Sequence, residues 1–148
     1  EWSYAVGIGK REDAGATPRA KESLNEGFFP WGPTWPPPDN SGNFGSREAK
    51  VSFGWETTEL DNYSDGYAFT SPVGSFTANT VGLHDLSGNV WEFCEEFDAS
   101  EGGQTITLSR GASWCHSSEF VLSSSRRGGN FLGSRDPDSG FRCVLMAD

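Results

Sequence analysis

Asp85 and Glu92 stand on either side of a Ser87-Gly88-Asn89 turn, within the stretch Gly82-Leu83-His84-Asp85-Leu86-Ser87-Gly88-Asn89-Val90-Trp91-Glu92-Phe93. Gly88 can adopt positive φ, which lets the backbone curl and turn its carbonyls inward. Two carboxylates and inward carbonyls in one tight loop suit a hard, oxygen-loving cation such as calcium better than magnesium, which keeps several waters in a near-ideal octahedron. The plainer reading of the same residues is an Asx-type turn followed by an acidic strand. His84 reads as a turn residue beside this loop.

A second chemical pair is Cys115-His116, a thiol beside a general base. Adjacent residues on a strand point to opposite faces, so the pair works only if the chain bends there; otherwise His116 is a surface-loop histidine. Asp61, Asp65, Glu95, Glu96, Asp98 and Glu101 offer carboxylates, but nothing in their spacing fixes two of them together. The sequence has no nucleophile elbow, P-loop or dinucleotide fingerprint.

The elements that must position these residues belong to a loop-rich chain. It has 148 residues, one domain's worth, of which 19 are Gly and 8 are Pro. Hydrophobic residues make up only 34%, yet aromatics reach 14%, so the core is expected to rest on a few large rings. The net charge of −10 argues against nucleic-acid binding, which needs a basic footprint, and suits a surface that attracts cations. No apolar run is long enough to span a membrane. Three cysteines, Cys94, Cys115 and Cys143, lack zinc-finger spacing and read as reduced thiols.

Glu1 to Val6 reads as the end of a helix stopped by Gly7. Thr17-Pro18 is an N-cap with proline at the first helical position, opening a helix over 20–26. Residues 28–45 form a Pro/Gly loop on which Trp31 and Trp35 pack. Strands are expected at Val90–Phe93 and Thr105–Leu108, with 109–114 continuing the sheet. Residues 116–139 read as a long surface excursion, and 141–146 as a closing strand.

Four segments then fall in an order that resembles the formylglycine-generating enzyme, or sulfatase-modifying factor, family. They are Glu1-Trp2-Ser3-Tyr4-Ala5, Phe29-Pro30-Trp31-Gly32, the Gly82–Phe93 stretch, and Arg110-Gly111-Ala112-Ser113-Trp114 followed by Gly140-Phe141-Arg142-Cys143. The resemblance runs from the first residue to nearly the last. It implies an irregular, loop-rich α+β fold of the C-type-lectin-like kind, with little regular secondary structure. It also implies that an N-terminal part of the family's domain is missing, and with it strands that complete the sheet.

The same resemblance implies up to two structural Ca2+ ions. One would be held by the side chains of Asn43 and Asp65 with the carbonyls of Phe44 and Tyr67. The other would be held by Asp85 and Glu92 with the carbonyls of Gly88 and Val90. Family enzymes oxidise a substrate cysteine with oxygen and copper(I), a soft ion held by two cysteines five positions apart. Here Cys115 falls on the first position and Phe120 on the second, so copper is not expected. The expected function is a calcium-stabilised binding or regulatory domain. Its groove for a peptide or protein ligand would be floored by Trp91, Ser113, His116, Arg126 and Arg127. Two alternatives stand beside it: an active formylglycine-generating oxidase with Cys115 as catalytic residue, and a ligand-binding variable protein of a diversity-generating retroelement, diversified over 123–130. A bacterial, extracytoplasmic setting and homodimerisation through exposed strand edges complete the expectations.

Overall fold

The computed structural model describes residues 1–22, 27–99 and 105–145. Its regular elements are few: helices α1 (Trp2–Ala5), α2 (Pro18–Lys21), α3 (Arg47–Phe53) and α4 (Glu119–Leu122), and strands β1 (Trp91–Ala99), β2 (Thr105–Arg110), β3 (Gly128–Phe131) and β4 (Ser139–Gly140). The four strands form one sheet in the order β3-β2-β1-β4. The β1–β2 and β2–β3 pairs are antiparallel, while β4 runs parallel to β1 at Trp91 and Glu92. The register of β1 against β2 shifts between Phe93 and Phe97, a bulge that bends β1.

Local chemistry explains the short helices. In α2 the Thr17 hydroxyl accepts from Ala20 N–H with proline at the first turn, as expected; the rest of the expected 20–26 helix lies largely outside the described residues. Helix α3 is not among the elements expected from the sequence. It begins after Ser46 and ends at Gly54, whose φ of 67° closes the helix in the left-handed conformation.

Two further expectations are corrected. Residues 116–139 are not a surface excursion. They contain α4 and β3, and Leu122, Ser124 and Ser125 are buried. Nor do 141–145 form a closing strand: the paired residues are Ser139 and Gly140, and Phe141, Val144 and Leu145 are exposed. Met146 lies outside the described residues.

Aromatic rings do carry the core. Phe29, Phe44, Leu60, Tyr63, Trp91, Ala112 and Leu122 form its main cluster, with Trp31, Trp35 and Val121 packed on it. Trp31 stacks on Phe29 at 4.8 Å and meets Phe44 edge-on at 5.3 Å. A smaller cluster of Val6, Ile8 and Leu86 joins the N-terminal segment to the Asp85 loop.

Charge fastens that segment as well. Glu12 lies 3.3 Å from Arg127 and 4.0 Å from Arg110, all three side chains being almost wholly buried. The Arg110 guanidinium also donates to the Ser124 carbonyl and lies over the Trp2 ring. Arginine suits this position because its planar fork serves several acceptors at once.

Candidate functional site

After β2 the chain leaves the sheet through Gly111 and Ala112, both with positive φ. Main-chain hydrogen bonds then stitch residues 111–116 to two other loops. Gly88 N–H donates to the Gly111 carbonyl, Trp114 N–H to Asn89, and Gly45 N–H to His116. This tight path supplies the bend that lets Cys115 and His116 point the same way. His116 is therefore half-buried within the fold, not a surface-loop residue.

Four side chains converge there. Ser113 Oγ lies 2.7 Å from His116 Nδ1, 2.8 Å from Asp138 Oδ2 and 3.3 Å from Cys115 Sγ. Cys115 Sγ is itself 3.6 Å from His116 Nδ1 and 3.5 Å from Asp138 Oδ2. Asp138 arrives from just before β4 and is anchored by Trp91 N–H donating to its carbonyl. The Trp91 ring stands edge-on to the imidazole at 5.3 Å.

The cluster opens into a cleft of about 220 Å³ lined by Trp91, Ser109, His116, Gly128, Asn130 and Asp138, among others. Gly128 is required in this wall. A Cβ there would lie 2.7 Å from Ser109 Oγ and 3.2 Å from the Trp91 ring.

Burial sets the protonation of the pair. It pushes the Cys115 thiol up, helped by the nearby Asp138 carboxylate, and it pushes His116 down against the opposing pull of that carboxylate. Both groups are thus held neutral near pH 7, unlike the thiolate–imidazolium pair of an activated nucleophile. A Ser-His-Asp relay is also absent among the described residues. Asp138 bonds to Ser113 and Cys115, not to the far side of the imidazole.

The other groove residues expected from sequence lie elsewhere. Arg126 pairs with Glu22 and covers the Phe120 ring, and Arg127 turns inward to Glu12. Neither lines the cleft. Asp138, Asn130 and Gly128 do line it; Gly128 and Asn130 fall in the 123–130 stretch of the variable-protein alternative, while Asp138 is not among the expected site residues. Asp138 lies in a run, Arg135-Asp136-Pro137-Asp138, that reads as an ordinary polar turn.

The two oxygen-rich loops touch one another: Asn89 N–H donates to the Asn43 carbonyl, and Gly88 packs so closely on that carbonyl that a Cβ would collide with it. In the first loop, Asp65 accepts from Phe44 N–H, Tyr67 N–H and the Ser46 hydroxyl. Burial raises its pKa despite these donors. Asn43 Nδ2 donates to the Phe69 carbonyl, while the buried Asn43 Oδ1 has no hydrogen-bond partner. A sealed acceptor without a partner suits a hard cation.

The second loop also buries an unpartnered acceptor, Asp85 Oδ1, while Asp85 Oδ2 accepts from Gly74 N–H. Its other carboxylate, Glu92, is already matched by Arg142. The guanidinium holds both Glu92 oxygens and also donates to the carbonyls of His84 and Asp85. The donors fit a cation here only if it shares Glu92 with Arg142. His84 contributes through its carbonyl, its ring being bound to the Phe76 carbonyl.

The neighbours of Cys115 Sγ are oxygen and nitrogen atoms, and Phe120 occupies the second cysteine position.

This architecture is the loop-rich α+β fold of the sulfatase-modifying-factor type. Solved structures with the same fold include CarF, at TM-score 0.56 and 24% identity, covering 95% of this chain and 42% of that one. Treponema denticola variable protein 1 also matches at TM-score 0.56, with 22% identity over 84% of this chain and 44% of that one. The family described as "Sulfatase-modifying factor enzyme 1-like domain" matches residues 1–147, and the chain belongs to it.

Among curated relatives, the formylglycine-generating enzyme of Thermomonospora curvata is 32% identical over 64% of this chain and 30% of its own length. The inactive C-alpha-formylglycine-generating enzyme 2 of Mus musculus is 32% identical over 86% of this chain and 40% of its own. The chaperone protein LppX of Paenibacillus barcinonensis is 28% identical over 97% of this chain and 46% of its own. The chain thus spans less than half the length of these relatives.

Proposed function

We propose that this chain is a calcium-stabilised binding or regulatory domain of the sulfatase-modifying factor family, in which the Trp91 cleft receives a peptide-sized ligand and copper-dependent cysteine oxidation does not take place. The observation that carries the reading is the surroundings of Cys115. Its sulfur sits among a hydroxyl, an imidazole and a carboxylate, and Phe120 stands half-exposed under Arg126 where the second copper thiolate belongs. Copper(I) favours two soft thiolates, and one thiol with hard neighbours does not replace them. That the family also contains proteins named as inactive is consistent with this reading.

When bound at the first loop, calcium would supply positive charge to Asp65 and to the unpartnered Asn43 oxygen, with Phe44 and Tyr67 offering carbonyls. At the second loop Asp85, Gly88, Val90 and Glu92 would hold it beside Arg142. These loops flank the 111–116 segment, so ordering them orders the cleft.

The variable-protein alternative is weakened by burial. Ser124 and Ser125 are wholly buried and Arg127 nearly so, leaving little of 123–130 free to diversify without disturbing the core. Only Gly128, Gly129 and Asn130 of that stretch reach the cleft.

The test is competition for copper(I) against a chromophoric chelator, together with titration of a cysteine-containing peptide followed by tryptophan fluorescence. The chain is expected to leave copper(I) on the chelator, and the peptide is expected to change a signal that Trp91→Phe removes. Withdrawal of one equivalent of copper(I) with two-thiolate affinity would overturn the reading.

A further inference from the structure

Cys115, His116 and Asp138 bring one sulfur, one nitrogen and one carboxylate oxygen to within 4.8 Å of one another, and among the described residues no other trio of His, Cys, Asp or Glu does so. From this geometry we propose a binding site for a borderline divalent cation of the zinc class, with Cys115 Sγ, His116 Nδ1 and Asp138 Oδ2 as its three protein ligands.

The distances carry the argument. Zinc bonds of about 2.3 Å to sulfur and about 2.0–2.2 Å to nitrogen and oxygen, set at tetrahedral angles, give S···N and S···O edges of about 3.5 Å. The observed edges are 3.6 Å to His116 Nδ1 and 3.5 Å to Asp138 Oδ2. Two edges of the ligand triangle thus already match a zinc tetrahedron, and the third is no longer than 4.8 Å. Mixed sulfur, nitrogen and oxygen donors select zinc over calcium or magnesium, which prefer oxygen alone, and over copper(I), which prefers sulfur.

The supporting shell is already built. Ser113, wholly buried, reaches all three ligand groups through its hydroxyl and keeps them together in the metal-free state. Trp91 positions the ligands twice, edge-on to the His116 ring and through its N–H to the Asp138 carbonyl. Three protein ligands beside an open cleft leave a fourth position for water or an incoming ligand atom, the pattern of zinc sites that act on ligands as distinct from purely structural ones. The inference goes beyond the proposed function and does not depend on it, because neither calcium loop contributes a ligand.

The test uses the whole chain stripped of metal by a chelator. Zn2+ affinity is measured by competition with a chromophoric indicator, and Co2+ is used as a spectroscopic stand-in. One equivalent of Zn2+ is expected to bind, and Co2+ is expected to show a thiolate charge-transfer band with the intense visible bands of a four-coordinate ion. Cys115→Ser, His116→Ala and Asp138→Asn should each weaken Zn2+ binding at least about 10-fold, while Cys143→Ser leaves it unchanged. The proposal is overturned if the wild-type chain takes up no Zn2+, if Co2+ binds without a thiolate band, or if folded Cys115→Ser binds Zn2+ as tightly as wild type. The cobalt spectrum of the wild-type chain decides the matter even where a variant fails to fold.

Discussion

Cys115 Sγ and Asp138 Oδ2 lie 3.5 Å apart although 23 residues separate them. The intervening chain runs through α4 and β3 before returning to the start of β1, where Trp91 N–H fixes the Asp138 carbonyl. The pairing of β3 and β4 with the rest of the sheet therefore builds the site, and disturbing either strand should disturb the cluster.

Gly128→Ala tests the wall of the cleft. The added methyl would press on Ser109 Oγ at 2.7 Å and on the Trp91 ring at 3.2 Å, both closer than ordinary van der Waals contact. Overpacking of this kind costs about 1–3 kcal/mol. Urea unfolding should show that loss together with an altered tryptophan spectrum, whereas Gly15→Ala, where a Cβ makes only an ordinary 3.5 Å contact with Asp13, should leave both as they are.

Glu12→Gln tests the buried ion pairs. The substitution neutralises the carboxylate that faces Arg127 at 3.3 Å and Arg110 at 4.0 Å in the interior. Removing one carboxylate from such a buried charge group should cost at most about 3–5 kcal/mol. Equilibrium denaturation should show a lowered midpoint, and 1 M salt should not reproduce the effect in the wild-type chain, because buried pairs are screened little.

Asp65 gives the apo protein a specific dependence on pH. Its folded pKa is raised, first by burial and further by the charge of nearby Glu48, so the native state holds the proton more tightly than the unfolded chain. The contribution of Asp65 to stability is then greatest below its unfolded pKa and declines as pH rises through the folded value. On the proposed calcium reading the ion would reverse this trend, since it would bind the ionised carboxylate. Melting temperatures in chelator and in Ca2+ should diverge as pH rises above the ordinary aspartate range, with Mg2+ giving a smaller separation. Parallel curves would remove calcium from this loop.

Arg142→Ala separates the two roles open to Glu92. Without added ion, the variant leaves a buried carboxylate unpaired and should be destabilised by about 3–5 kcal/mol. If calcium occupies the second loop, Ca2+ should restore much of that loss and stabilise the variant more than wild type. Equal stabilisation of both proteins would show that Arg142 alone serves Glu92.

The sequence by itself determined whatever is encoded within a few residues or in the order of motifs. The Thr17-Pro18 cap, the Gly-terminated first helix, the strands beginning at Trp91 and Thr105, the reliance on aromatic rings and the family are all of this kind. Hydrogen bonding of a cap or the alternation of a strand is settled locally, so the residues announce it. Tertiary structure alone decided the rest. The serine- and arginine-rich stretch from Ser123 reads as surface, yet Ser124 and Ser125 are buried, held to distant segments by Ser124 N–H on the Phe28 carbonyl and the Ser125 hydroxyl on the Glu22 carbonyl. Arg127 reads as a groove cation but turns inward because Glu12, 115 residues earlier in the chain, is buried opposite it. Cys115 and His116 face one point only because Ala112 accepts positive φ, and Asp138 meets them only because a parallel strand of two residues docks beside Trp91. A contact between groups far apart in the chain depends on the path between them, and no local pattern records that path.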